Sequence, residues 1–349
     1  MDPLFKEEKI LHFKRIEEIL NLNPVRSLTE EKKEAINLFR NKYLYEILRL
    51  VPFNWKSEPT YYVLNIRSNT GKLFLLGYNL LKDAGEGCNL CLLVGAALEI
   101  FSANSLILDD IIDNDVTRQG LEAAHISYGI QRSLLSIEYT NNLILNKLRR
   151  ESTFYSNMIE KSWDEKLESF TIELLMKTGK ITRSRKNYEE LARKIGTFAV
   201  QLGKYLYRKY RDRKRYYLKK FLEYSTIAWV FDDPLLIFRN STSKAYSDIR
   251  NGYYTLPVVL LLKKLKGNDL KLFRKNFGKE GKERTIYMLF KKYDIEEECI
   301  KIVKKYHSMA CRYLDKIFEE FDYETKLVLI WQSFVSKANL KYGGGSEEK

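Results

Sequence analysis

Three features of the sequence predict an all-α protein. Apolar residues recur at helical spacing along most of the chain, as at Ile36, Phe39, Tyr43, Ile47 and Leu50. Only six prolines interrupt the 349 residues, and strand-like alternation bounded by turns is absent. At 45% hydrophobic the chain can bury a large core, and no Pro-, Gly- or Ser-rich linker divides it. The expectation is one domain over residues 1–340, a single helical bundle of about ten or more helices. A disordered tail follows at 341–349.

The first helix opens at a capping box, Ser27 and Glu30, in SLTEEKKEAINLFRNKYLYEILRLV. Helical periodicity then recurs near 72–82, 91–108, 129–148, 165–177, 188–206, 216–231, 254–265, 283–292 and 296–320. The stretch LLVGAALEIFSANSLIL reads as a buried helix. No run approaches the roughly 18 uncharged apolar residues of a membrane span. The N-terminus MDPLFKEEKILHFKRIEE is too charged for a signal peptide. A soluble, cytoplasmic protein is expected.

A net charge of +14 admits nucleic acid, an anionic membrane surface or a phosphorylated substrate, or only a lysine-rich composition. The densest basic run, YRKYRDRKRYYLKK at 207–220, holds eight Lys or Arg and one acid. It reads as a solvated helix end and connecting loop. Nucleic acid is not an expected partner; peripheral contact with an anionic membrane stays open. Cys88 and Cys91 have zinc-knuckle spacing, and His307 sits one helical turn before Cys311. With Cys299 these segments fit no familiar zinc module, and buried thiols in a reducing compartment are the reading.

Chemistry gathers at LILDDIIDNDVTRQG, residues 106–120. Acids are almost never fully buried without partners, yet this cluster ends an apolar helix. Asp109 and Asp113, at i and i+4, share a helix face, with Asp110 one step round. Their mutual repulsion calls for a cation. Carboxylate oxygens without His or Cys in the same turns suit Mg²⁺, which prefers a few carboxylates plus substrate phosphates. Arg118, five residues on, is suited to a bidentate phosphate contact. A second apolar helix ends in Asp232 and Asp233, with Asp248 sixteen residues beyond Asp232. Between the clusters, Lys177 and Thr178 lie in the apolar segment ELLMKTGKI, where a lysine needs an anion. Together these residues describe a pocket for a polyanion bridged by metal.

The chain resembles the trans-isoprenyl diphosphate synthase (polyprenyl synthetase) family. LEIFSANSLILDDIIDNDVTRQG is similar to its first aspartate-rich motif, and HISYG follows in the place of a similar H-x-x-Y-G. KTG and FDD…SDIRNGYYTLPVVLLL resemble the lysine-threonine segment and the second aspartate-rich motif, and TGK at 70–72 a Gly-Lys-Arg segment. The resemblance implies the isoprenoid synthase fold, with both acidic motifs facing one deep central cavity. It implies Mg²⁺-dependent ionisation of an allylic prenyl diphosphate and its condensation with isopentenyl diphosphate. Asp109, Asp110, Asp113, Asp232 and Asp233 are then the metal residues. Lys72, Arg118, Lys177 and Lys244 bind substrate, Asp109, Lys177, Thr178 and Asp232 carry catalysis, and Asp248 also matches. A homodimer, or a heterodimer with a related synthase, is the expected assembly.

Departures from the family pattern gather on the isopentenyl side. Leu75 stands where an arginine is expected, Ser102 for a His or Gln, and Gln119 for the second arginine of an RRG triplet. Leu236 replaces the third acid of the second motif, Tyr253 a lysine and Trp229 a glutamine. Two lost charge-assisted contacts at about 1.5–3 kcal/mol each would weaken one diphosphate site by roughly 10² to 10⁴; Arg67 or Lys82 could substitute. Three functions follow: a working synthase, a weakly active or non-catalytic homologue or partner subunit, and a terpene synthase-like enzyme using only the allylic substrate. On the helix before Asp109, Ser105, Asn104 and Ser102 are small, and Leu98 is the first sizeable apolar side chain on its face. That leaves a channel for products of C20 or longer.

Overall fold

The computed structural model describes residues 50–66, 71–118, 120–239 and 246–322, with a few more between 325 and 332. The capping box at Ser27, the tail, Arg67, Gln119 and Lys244 lie outside the described residues. The described helices run α1 Glu58–Ile66, α2 Lys72–Asp83, α3 Cys88–Asp113, α4 Ala124–Ser127, α5 Ile130–Glu151, α6 Thr153–Thr178, α7 Arg185–Ile195 and α8 Thr197–Tyr210. They continue as α9 Arg213–Asp232, α10 Leu236–Arg239, α11 Ser247–Asn251, α12 Leu256–Lys264, α13 Gly267–Asn276, α14 Glu283–Lys292 and α15 Ile295–Asp315. This is the all-α bundle expected from the sequence.

Strand is not wholly absent. β1 Thr117–Arg118 pairs antiparallel with β2 Leu121–Glu122. Two residues a side are too short to show alternation in a sequence, and Gly120, at φ 84°, supplies the left-handed residue of the reversal. The periodic span 188–206 is likewise two helices, broken at Gly196. A Cβ built there would lie 2.1 Å from Thr226 Cγ2, so the glycine lets α7 and α8 close onto α9.

Helix α3 is the axis of the bundle, contacted by α1, α2, α4, α5 and α6. It is also long and apolar enough to cross a membrane by length and composition, and 83% of its apolar window is buried inside the fold, as a core helix requires. Gly77 on α2 and Gly95 on α3 let these helices cross closely; a Cβ on Gly95 would meet the Phe74 carbonyl at 2.6 Å. Glu99 interrupts the apolar run of α3 for a local reason. Its buried carboxylate accepts from the amides of Leu73 (3.0 Å) and Phe74 (3.1 Å), capping the start of α2, where the dipole favours negative charge.

A second apolar cluster joins α9, α12, α14 and α15. Cys91 lies in the first cluster and Cys299 in the second. The basic segment 207–220 closes the α8–α9 turn against the α2–α3 loop. Lys209 pairs with Glu86, and Lys214 (2.7 Å) and Arg215 (3.0 Å) pair with Asp83. Arg213 and Lys219 lie over the rings of Tyr217 and Tyr207. Those cations have structural partners within the chain.

Candidate active site

Helix α3 ends at Asn114, whose left-handed conformation (φ 55°) reverses the chain into the β1–β2 hairpin. The hairpin returns Arg118 to the helix end. Its guanidinium donates to Asp110 through Nε (2.7 Å) and Nη2 (2.5 Å), and Nη2 stands 3.5 Å from Asp109. Asp110 is therefore a buried carboxylate held by a two-pronged arginine. Burial still raises its carboxyl above the ordinary range, against the pull of Arg118. Asp109 keeps a third of its side chain open.

Asp113, half-buried, is engaged by a residue far along the chain. Tyr253, just beyond α11, donates its phenol proton to Asp113 Oδ1. Lys177 Nζ lies 4.5 Å above the Tyr253 ring. Burial and the neighbouring charge of Asp109 push Asp113 up to about 7, with Tyr253 and Lys177 opposing. Asp248, also half-buried, is pushed up to about 7 by burial and by Asp233, Asp113, Asp115 and Asp109. The first motif and the Asp248 end of the second thus share one electrostatic space. Asp232 is buried at the end of α9, and Asp233 is exposed and opens a 3₁₀ turn.

The C-terminus of α6 is held by Arg183, which donates to the carbonyls of Met176 (3.0 Å) and Lys177 (3.2 Å) and stacks on the Tyr254 ring at 4.2 Å. The adjacent tyrosines 253 and 254 thereby fasten the segment after the second motif to α3 and α6 at once. Thr178 turns its hydroxyl back onto the Leu174 carbonyl (2.8 Å) and is exposed. Its proton is spent within its own helix.

Two charged residues that interact with these acids escaped the sequence reading. Glu173 is pushed up to about 8 by burial and by Asp109, Asp113 and Asp248. Lys166 is buried, with its ammonium 4.5 Å over the Phe170 ring. The signal was available, because Lys166, Phe170, Glu173 and Lys177 fall at i, i+4, i+7 and i+11, one helix face.

Of the positions expected to face isopentenyl diphosphate, Lys72 is half-buried at the first turn of α2. Leu75 is fully buried in the hydrophobic core and faces no open space. Asn104 also differs from its expected place along a channel. Its side chain is fully buried in a polar layer, donating to Thr140 (2.8 Å) and Asn141 (2.8 Å) and accepting from Thr60 (2.8 Å). It faces α1 and α5.

Among the described residues no three His, Cys, Asp or Glu side chains form a preassembled metal cluster. The donors at the ends of α3 and α9 are carboxylate oxygens, repelling one another and partly open. That set suits a hard divalent cation which completes its shell with water and phosphate oxygens.

This all-α bundle, with acidic residues at the ends of α3 and α9, has the isoprenoid synthase fold. Residues 54–292 match the polyprenyl synthetase family, and the chain belongs to it. A geranylgeranyl pyrophosphate synthetase from Pyrococcus horikoshii Ot3 has a similar structure, with TM-score 0.73 and 20% identity over 88% of this chain and 99% of that one. A decaprenyl diphosphate synthase from Rhodobacter capsulatus gives 0.74 and 13%, over 86% and 96%. A geranylgeranyl pyrophosphate synthase from Corynebacterium glutamicum, complexed with isoprenyl diphosphate and magnesium, gives 0.68 and 18%, over 88% and 98%. No curated protein sequence matches the chain.

Proposed function

We propose that this protein is a prenyltransferase that ionises an allylic prenyl diphosphate and joins it to isopentenyl diphosphate. The carrying observation is the bridge from Lys177 through Tyr253 to Asp113, which brings the lysine-threonine segment and the region after the second motif onto the first motif. Mg²⁺, held by Asp109 and Asp113 with Asp110 behind them on one side and by Asp232 and Asp233 on the other, would neutralise the departing diphosphate.

The chain's own residues do the rest. Lys177 presents its ammonium to the leaving group, where fixed positive charge stabilises the transition state. Arg118 holds Asp110 and fixes the end of α3. When the allylic C1–O bond breaks, its electron pair leaves with the diphosphate. The double bond of isopentenyl diphosphate then attacks C1, and a proton lost from the new C2 restores neutrality. Exclusion of water from the site would protect the cation from quenching.

A second reading, use of the allylic substrate alone or service as a partner subunit, has one observation in its favour: the position expected to carry a cation for isopentenyl diphosphate is the core residue Leu75. Helix α5 exposes Ile130, Leu134 and Leu135, and we assign this face to a second subunit, a copy of this chain or a related synthase. The deciding experiment supplies Mg²⁺, labelled isopentenyl diphosphate and each allylic diphosphate in turn. An elongated product is expected from wild type and none from Asp109→Ala/Asp113→Ala. Cyclic or hydrolysed products alone would replace the first reading with the second.

A further inference from the structure

Helices α3 and α6 run parallel, and two contacts fix their register. Phe101 packs edge-to-face on Trp163 with ring centroids 5.5 Å apart. Twelve residues on, Asp113 meets Lys177 across Tyr253. The offsets, 163 − 101 = 62 and 177 − 113 = 64, place Lys166 level with residues 102–104 of α3. Lys166 therefore roots about 8–10 Å below Asp109 along the axis, at 1.5 Å per residue.

At that level α3 carries the small side chains Ser102 and Ser105, and α6 carries Phe170 and Lys166. The lysine is only 6% exposed. Its stem rises along Phe170, and its charge is drawn by Asp109, Glu173 and Asp113. Burial outweighs that attraction and holds the ammonium below its ordinary value. A cation so placed tolerates a diphosphate or water nearby, but a hydrocarbon tail would strip it of polar company. Below that level Phe101 packs on Trp163 and ties α3 to α6.

We propose that Lys166 discriminates prenyl diphosphates by length, admitting a tail of about two isoprene units above it and opposing longer ones. This rests on the reading that a prenyl diphosphate enters beneath Asp109. The expectation of C20 or longer considered α3 alone; α6 supplies the opposite wall.

The test uses the full chain with Mg²⁺ and non-ionisable thiolodiphosphate analogues of geranyl, farnesyl and geranylgeranyl diphosphate, with affinity read by calorimetry. Wild type should prefer the geranyl over the geranylgeranyl analogue by about tenfold or more, a margin of one decade in Kd. Lys166→Leu, similar in size and uncharged, should bring the ratio within about twofold, and Lys166→Arg should keep the preference. Melting temperatures without ligand identify any variant that fails to fold, in which case Lys166→Met takes its place. A ratio unchanged in Lys166→Leu, or absent in wild type while all three analogues bind, overturns the inference. Binding of no analogue by any protein overturns the functional reading itself.

Discussion

The phenol of Tyr253 donates its proton to the carboxylate of Asp113, across the gap between the two aspartate-rich segments. That bond favours the ionised acid and opposes the burial that raises it. Tyr253→Phe should therefore move Asp113 ionisation to still higher pH. The measurement is binding of inorganic diphosphate with Mg²⁺ between pH 6 and 9, and the midpoint should rise in the variant. An unchanged or lower midpoint would show that the bond is incidental.

Stability should depend on pH in a definite direction. Asp113 and Asp248, at about 7, and Glu173, at about 8, hold protons more tightly folded than unfolded. The folded state then binds more protons than the unfolded one between roughly pH 4 and these values. This contribution is complete below the unfolded values and is lost as pH rises through 7 to 8. The Tm of metal-free protein should fall across that window, and Mg²⁺ with inorganic diphosphate should flatten the fall. A rising Tm would contradict the assignment.

Arg118 is predicted to matter for stability as well as for ligand. Arg118→Gln leaves Asp110 buried without its cation and should cost about 3 kcal/mol, several degrees of Tm. Adding Asp110→Asn should recover much of the loss, because neither charge is then stranded. Equal damage in the single and double variants would mean that the pair is not what holds the α3 terminus.

Leu75→Arg is the change that sequence comparison invites. Since Leu75 is sealed in the core, the substitution should destabilise by about 3–5 kcal/mol, the cost of an uncompensated buried charge. It should not improve the KM for isopentenyl diphosphate. A stable variant with a lower KM would place residue 75 at the substrate instead.

For the proposed subunit face, Leu135→Glu puts a charge among exposed apolar side chains of α5. Sedimentation should report half the wild-type mass with helicity unchanged. Retention of the wild-type mass would move the interface elsewhere.

Much of the fold was legible because long amphipathic periodicity is local information. The aspartate-rich termini were legible because acids after an apolar run violate burial rules. What escaped depended on partners distant in sequence. Gly196 divides α7 from α8 because of Thr226, thirty residues away. Leu75 reads as a candidate site position until α3 packs over it. Lys166 and Glu173 sit on a helix with several packed faces, where polar and apolar residues intermingle. Their relation to Lys177 emerges only once α3 is laid alongside.

The Glu99 carboxylate has a kinetic consequence. The first turn of α2 begins at Gly71, which has no side chain to cap it, and two of its amides donate to an acid on another helix. An isolated α2 segment lacks that acceptor, so its first turn, with Lys72 in it, forms only when α3 docks. Hydrogen exchange at Leu73 and Phe74 should then report separation of the two helices rather than fraying of one end. A pulse-labelling experiment during refolding should find these amides protected together with the middle of α3, and no earlier.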